Sequence, residues 1–177
     1  MSEKAFLNNI KTNNPSLNME EIEKIIPLLI KENSYYLIRF KLKRNPVNCN
    51  INYLFMDNNG KEVGDATATV YSWNIHEAEL TYGIAEDWRG QGLGTRLLET
   101  VVRDIYENHP LNNLSFKDEV SAVQNICLTI DCQNIGSIKV AENSGFVGPN
   151  EQERKQLTEY VYSLSYQQYQ TLDEPYR

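Results

Sequence analysis

Histidine is scarce, with only His76 and His109 in 177 residues. A metal centre built on imidazole would lack ligands unless carboxylates completed it, and no metal is expected. The three cysteines, Cys49, Cys127 and Cys132, have neither the number for a disulfide framework nor metal-ligand spacing. They read as free, buried thiols. Basic residues are outnumbered, 17 against 24 acidic ones, and the net charge is −7. Such a balance offers no cationic face to neutralise phosphates, which speaks against a nucleic-acid partner and agrees with a positively charged substrate. Long apolar runs are missing: the longest aliphatic stretch, Ile25 to Ile30, contains Pro27 and is far too short to span a bilayer. The N-terminus shows no basic region followed by an apolar one, so a cytoplasmic protein without membrane contact is expected. Internal repeats and low-complexity tracts are also lacking, and the length suits a single domain with a real core.

What the chain does have is a glycine-rich junction, Trp88-Arg89-Gly90-Gln91-Gly92-Leu93-Gly94-Thr95, where a strand-like segment gives way to a helical pattern. Leu97, Leu98, Val101, Val102 and Ile105 mark a helix over 94–108, closed by Asn108-His109-Pro110. Missing side chains let backbone N–H groups converge at a helix N-terminus, where unpaired donors and partial positive charge favour phosphate. A nucleotide-phosphate P-loop fits poorly, because the lysine–hydroxyl sequence that follows its glycines is absent.

Upstream, Asn18 followed by Glu21, with Met19, Ile22, Ile25, Ile26 and Leu29 on one face, predicts a capped helix kinked or ended by Pro27. Residues 1–34 thus read as a helical extension. From Tyr35 to Lys43, Ile38, Phe40 and Leu42 form the buried face of a strand. Cys49, Ile51, Tyr53 and Phe55 alternate in the next strand, and Asp57-Asn58-Asn59-Gly60 turns it into a return strand, Val63 to Tyr71, with a bulge at Gly64. Glu77 to Ile84 is a further strand that leads into the glycine junction.

Downstream, residues 111–123 read as a polar connection with room for a short helix around Asp118 to Val123. A buried strand, Ile126 to Ile130, precedes a helix carrying Ile135, Ile138 and Ala141, stopped by Ser144-Gly145. A short strand opens at Phe146-Val147, a charged segment covers 151–156, Tyr160, Tyr162 and Leu164 mark the last strand, and the tail 166–177 carries one helical turn. The expected class is α+β, a mixed but mostly antiparallel central sheet flanked by helices.

Two local patterns carry a resemblance. The first is Ala78-Glu79-Leu80-Thr81-Tyr82-Gly83-Ile84 followed by Arg89-x-x-Gly92-x-Gly94; the second is Asn134-x-x-Ser137 ahead of Ala141-Glu142-Asn143-Ser144-Gly145-Phe146. Together and in this order they resemble the GNAT superfamily of N-acetyltransferases, closely over 78–146 and more broadly from about 36 to 165. Ser137 and the Val161-Tyr162-Ser163-Leu164 ending are similar to the subgroup that includes ribosomal-protein N-terminal acetyltransferases. The resemblance implies the acyl-CoA N-acyltransferase fold and direct transfer of the acetyl group of acetyl-CoA to a primary amine. The acceptor would be a protein N-terminus, a lysine, or a small cationic amine of polyamine or aminoglycoside type, and the protein a monomer or homodimer.

It also implies roles for particular residues. The backbone of Tyr82, Gly83 and Ile84 would pair with the pantetheine arm of CoA, and the amides of Gly90, Gln91, Gly92, Leu93, Gly94 and Thr95 would hold its pyrophosphate, flanked by Arg89. Glu79 lies where many members carry a glutamate and is the leading general base, directly or through water. Glu77 shares its strand face and is an alternative, while a solvated charge is the plain reading of either. His76 is an outside candidate whose plain reading is an exposed strand-end residue. Ala141 stands where many members place the tyrosine that protonates the thiolate. Ser137, one helical turn earlier, is expected to deliver a hydroxyl instead, and Asn134 to cap the helix and face the cofactor. The departure at Ala141 keeps open a second class, a GNAT-fold module that senses acyl-CoA without turnover.

Overall fold

The computed structural model describes residues 8, 11–12, 26–30, 35–40, 42–116, 119–154 and 157–172. Strands β1 (Ile26–Ile30), β2 (Tyr35–Arg39), β3 (Lys43–Arg44), β4 (Asn48–Met56), β5 (Glu62–Tyr71) and β6 (Asn74–Ile84) precede a long helix, α1 (Leu93–Asn108). A small ribbon, β7 (Ser115–Phe116) with β8 (Glu119–Val120), leads to β9 (Asn125–Asp131) and α2 (Ile135–Asn143). Strands β10 (Val147–Arg154) and β11 (Leu157–Ser165) form a hairpin, followed by the single turn α3 (Tyr166–Tyr169).

The large sheet has the order β1-β2-β4-β5-β6-β9-β11-β10, with β3 paired to β4. Its neighbours are antiparallel except β6 and β9, which are parallel because α1 carries the chain across the sheet between them. That parallel contact is short. It holds at Glu77↔Asn125, Ala78↔Ile126 and Glu79↔Cys127 and then ends, although β6 runs on to Ile84 and β9 to Asp131. Beyond Glu79 and Cys127 the sheet opens into a wedge.

One face of the sheet is closed by α1. Its Leu97, Leu98, Val101, Val102 and Ile105 are wholly buried with Ile51, Tyr53, Phe55, Ala68 and Leu80 of β4, β5 and β6. Each of these larger aliphatic side chains contributes about 1.5–3 kcal/mol on leaving water. A polar lock sits within this layer. Asp104 of α1 accepts hydrogen bonds from Arg39 Nη1 (2.8 and 2.9 Å), Tyr53 Oη (2.9 Å) and Asn108 Nδ2 (2.8 Å), so a buried charge joins β2, β4 and the helix. Burial, followed by the field of the Asp104 carboxylate, pushes the Tyr53 hydroxyl well above its ordinary pKa.

Several expectations are corrected. Residues 18–25 of the expected first helix lie outside the described residues, and the segment Ile26–Ile30 is a strand. Pro27 explains the preference: inside a helix it would remove a hydrogen bond, but β1 is the edge of the sheet, where a missing N–H is tolerated. Strand β2 buries both faces: Leu37 joins the main core, while Ile38 and Met56 form a second cluster with Tyr36, Phe40 and Leu54. In 111–123 a two-stranded ribbon replaces the short helix, and Ser121 Oγ organises its base by donating to Leu111 O (2.7 Å) and accepting from Leu114 N (2.9 Å). The strand that opens at Val147 is not short: it continues through the charged stretch to Arg154, paired against β11.

Other expectations hold closely. The turn after β4 is closed by Asp57 Oδ1, which accepts from Asn59 N and Lys61 N, both at 2.8 Å. The bulge falls beside Gly64, where Phe55 pairs with Gly64 but Met56 pairs with Glu62. Helix α2 stops as its sequence predicts: Gly145 takes φ +71°, its N–H donates to Glu142 O and that of Phe146 to Ala141 O, both at 3.1 Å. The tail turn α3 is fixed by a reciprocal cap between Ser165 and Gln168.

Candidate active site

At the far end of the wedge, β6 passes through a tight 3-10 turn, Glu86–Trp88, into the glycine junction. Gly90 and Gly92 adopt φ of +75° and +73°, a region costly for side chains, and Gly92 is the N-cap of α1 without any side-chain cap bond. A helix start of this kind leaves its first N–H groups pointing outward for an anion. Gly94 serves a different purpose. A Cβ there would lie 3.1 Å from Val140 Cγ2, so its bare backbone lets α1 approach α2. Leu93 sends its side chain into the core at 4 % exposure, leaving only its backbone for the loop. Arg89 braces the turn, its Nε donating to Ile84 O at 3.0 Å, and Gln91 Nε2 reaches Asp87 O at 3.4 Å.

The wedge itself is bridged by Tyr82. Its hydroxyl donates to Ser137 O at 3.2 Å, tying β6 to the first turn of α2. Burial raises the Tyr82 pKa, partly offset by the side chain of Ser137, so the phenol stays protonated at neutral pH. Asn134 caps α2, its Oδ1 accepting from Ser137 N at 3.1 Å. Ser137 is half-buried beside this bridge, whereas Ala141 is fully buried in the main core. Position 141 therefore packs the helix in this chain and carries no hydroxyl.

On the face away from α1, a groove of about 730 Å³ starts at the apex of the wedge. Its floor includes Cys127 and Thr129 of β9, and Glu77 and Glu79 of β6 stand along it. The two carboxylates differ in attachment. Glu77 Oε1 accepts from Asn74 Nδ2 (3.2 Å) and Oε2 from Asn125 Nδ2 (3.0 Å). Among the described residues no side chain clamps Glu79 in this way. The Cys127 thiol is pushed up to about 12, by burial first and then by the charges of Glu77 and Glu79.

A family model described as the acetyltransferase (GNAT) domain matches residues 14–147. The chain belongs to the GNAT acetyltransferase family. Similar solved structures include a ribosomal-protein alanine acetyltransferase from Vibrio fischeri, 12% identical with TM-score 0.60, covering 79% of this chain and 96% of that one. A mutant spermidine N-acetyltransferase from Vibrio cholerae is 15% identical with TM-score 0.57, covering 69% of this chain and 67% of that one. An aminoglycoside acetyltransferase solved in complex with coenzyme A is 17% identical with TM-score 0.54, covering 68% and 69%. At these identities the likeness is one of fold. No curated protein sequence matches the chain.

The GNAT fold arranges the sequence-derived residues in two groups. Tyr82, Gly83, Ile84, the loop Arg89 to Thr95, Asn134 and Ser137 lie along the wedge and its helical walls. Glu79 stands at the apex, on the groove side. His76 is exposed on β6, with Nδ1 3.1 Å from Ala122 O, and lies outside this groove's lining. Three features were missed from sequence: the asparagine clamps on Glu77, Cys127 in the groove floor, and a stacked pair, Tyr71 and Trp73, on its wall. Strand alternation carried a signal for Cys127, since Ile126, Leu128 and Ile130 claim the opposite, buried face of β9. Trp73 lies in the hairpin turn and Asn74 opens β6 beside it, at a bend whose geometry alternation does not encode.

Proposed function

We propose that this chain moves the acetyl group of acetyl-CoA directly onto a primary amine seated in the acidic groove. The observation that carries the reading is the end of the β6–β9 pairing at Glu79 and Cys127, both of which line the groove, while β6 runs on towards the glycine loop with that edge unpaired by β9. The unpaired edge of β6 at Tyr82 to Ile84 suits the amide-rich pantetheine arm, and the uncapped start of α1 suits the pyrophosphate. Bound acetyl-CoA supplies a thioester carbonyl that an amine lone pair attacks while the thiolate leaves.

The chain's own groups handle the protons. Glu79, half-buried at the apex, accepts the proton that an ammonium acceptor must lose before it attacks. Ser137, whose backbone on the first turn of α2 receives the Tyr82 bridge, supplies in this reading the thiolate proton donor that Ala141 cannot. The groove's carboxylates favour a cationic acceptor, in keeping with the chain's net charge of −7.

The test is incubation with acetyl-CoA and a panel of primary amines, following free thiol release and product mass together. The expected result is one thiol released per acetylated amine, with no acetylated enzyme accumulating. Acetyl-CoA binding with no product from any amine would replace the transferase with an acyl-CoA sensor. Failure to bind CoA would overturn both.

A further inference from the structure

We infer that Glu77 and the Tyr71–Trp73 pair select acceptors with a second cationic centre, held beside the nitrogen that reacts at Glu79. This inference rests on the proposed acetyl transfer and adds the shape of its acceptor.

Four observations meet in the groove. Glu77 and Glu79 both line it and are two residues apart on one strand, so their backbones are offset by about 6.6 Å at the usual rise of an extended chain. Among the described residues that line it there is no lysine or arginine, so within that part of the wall the two charges have no basic partner. Glu77 is held from two sides by Asn74 and Asn125, which fixes the position of its charge while leaving further lone pairs on each oxygen. At the hairpin end, the rings of Tyr71 and Trp73 stack at 4.6 Å with an interplanar angle of 19°, and Trp73 is 71% exposed.

An exposed indole and a fixed carboxylate lining one groove together offer a cation-binding surface. A monoamine neutralises only one of the two carboxylates and leaves the other to a partly desolvated groove. A diamine of suitable length compensates both. With carbon–carbon bonds near 1.5 Å, a spacer of about three to five methylenes spans the offset. The order along β6 sets the polarity of binding: the reacting nitrogen lies at Glu79, nearest the wedge, and the second cation points towards Glu77 and the hairpin. The raised pKa of Cys127, caused partly by both carboxylates, agrees with a strongly negative field at this spot.

The experiment compares kcat/KM for n-butylamine and for 1,3-diaminopropane, 1,4-diaminobutane and 1,5-diaminopentane, with calorimetric binding of 1,4-diaminobutane measured in parallel. The wild type is expected to favour the diamines by about tenfold or more, expressed mainly in KM. Glu77→Gln should bring that ratio close to one and Trp73→Ala should reduce it several-fold, with Glu77→Asp retaining part of it. Trp73 is exposed, so its variant tests the idea even where a Glu77 variant is poorly folded. A wild-type ratio near one, or a ratio indifferent to both Glu77→Gln and Trp73→Ala, would overturn the inference and leave acetyl transfer standing. Diamine binding that depends on Glu77, without acetylation of any amine, would do the reverse.

Discussion

Glu79 of β6 and Cys127 of β9 are the last register pair before the two parallel strands separate. Both side chains line the groove on the open face of the sheet. The break in pairing, the proposed base and the negative field on the thiol therefore coincide at one point of the fold. That coincidence gives the following expectations.

Glu79→Gln keeps the shape of the apex and removes its proton acceptor. Turnover should fall about 100-fold at neutral pH, within the range of general-base effects. CoA affinity should hold, because the amide-lined loop is untouched. The deficit should shrink as pH rises and more acceptor arrives as free amine. A pH–rate profile unchanged from wild type would remove Glu79 from the mechanism.

Cys127 should resist alkylation. Its thiol stays protonated in the folded protein far above the ordinary value of 9.0, up to about 12. Peptide mapping after iodoacetamide at pH 9 should show Cys127 modified much more slowly than in urea. The linked effect on stability has a definite sign. Between pH 9 and about 12 the native state holds a proton that the unfolded state has lost, so this thiol makes stability fall as pH rises. Cys127→Ala should flatten that part of the denaturation profile.

Gly92→Ala places a side chain at φ +73°. The strain of a left-handed residue is about 1–2 kcal/mol. It can be relieved only by moving the loop that starts α1, so CoA affinity by calorimetry should drop as well as the melting temperature. A normal affinity with a lowered melting temperature would separate the loop's shape from phosphate binding.

Asp104→Ala removes the buried carboxylate that Arg39, Tyr53 and Asn108 all address. Breaking such a pair leaves an uncompensated cation, at a cost of roughly 3–5 kcal/mol. Urea denaturation measures it. Tyr53→Phe removes a single hydrogen bond of the same cluster and should cost much less, about 1–2 kcal/mol.

Ser137→Ala and Tyr82→Phe each delete a hydroxyl near the thiolate side of the wedge. The serine variant should lower kcat with little change in CoA binding. The phenylalanine variant loses the bridge from β6 to α2, so its effect should fall on CoA affinity. The opposite pattern would reassign the proton donor to Tyr82.

Much of this architecture was legible where periodicity is strong. The strands carrying Cys49 to Phe55 and Ile126 to Ile130, and the helix from Leu97 to Ile105, each bury the face that their apolar spacing marks. The segment Ile26–Ile30 misled because five largely aliphatic residues fit either period, and only the edge position of β1 settles the role of Pro27. The charged stretch in β10 extends because β11 supplies a partner, which no local pattern announces. In the site, glycines and a helix start are local features and could be read directly. The clamp from Asn125 to Glu77 spans 48 residues and exists only once the parallel contact brings β9 beside β6.

That short parallel contact also divides labour within the molecule. The loop that would grip the donor hangs from α1, while Trp73, Asn74 and Asn150, on the groove's rim, belong to hairpin tips and a peripheral strand. Substitutions at those three positions leave the helix, its glycines and its Asp104 lock untouched. If acetyl transfer runs as proposed, acceptor choice would then be open to change at this rim with the proposed thioester-handling elements kept as they stand.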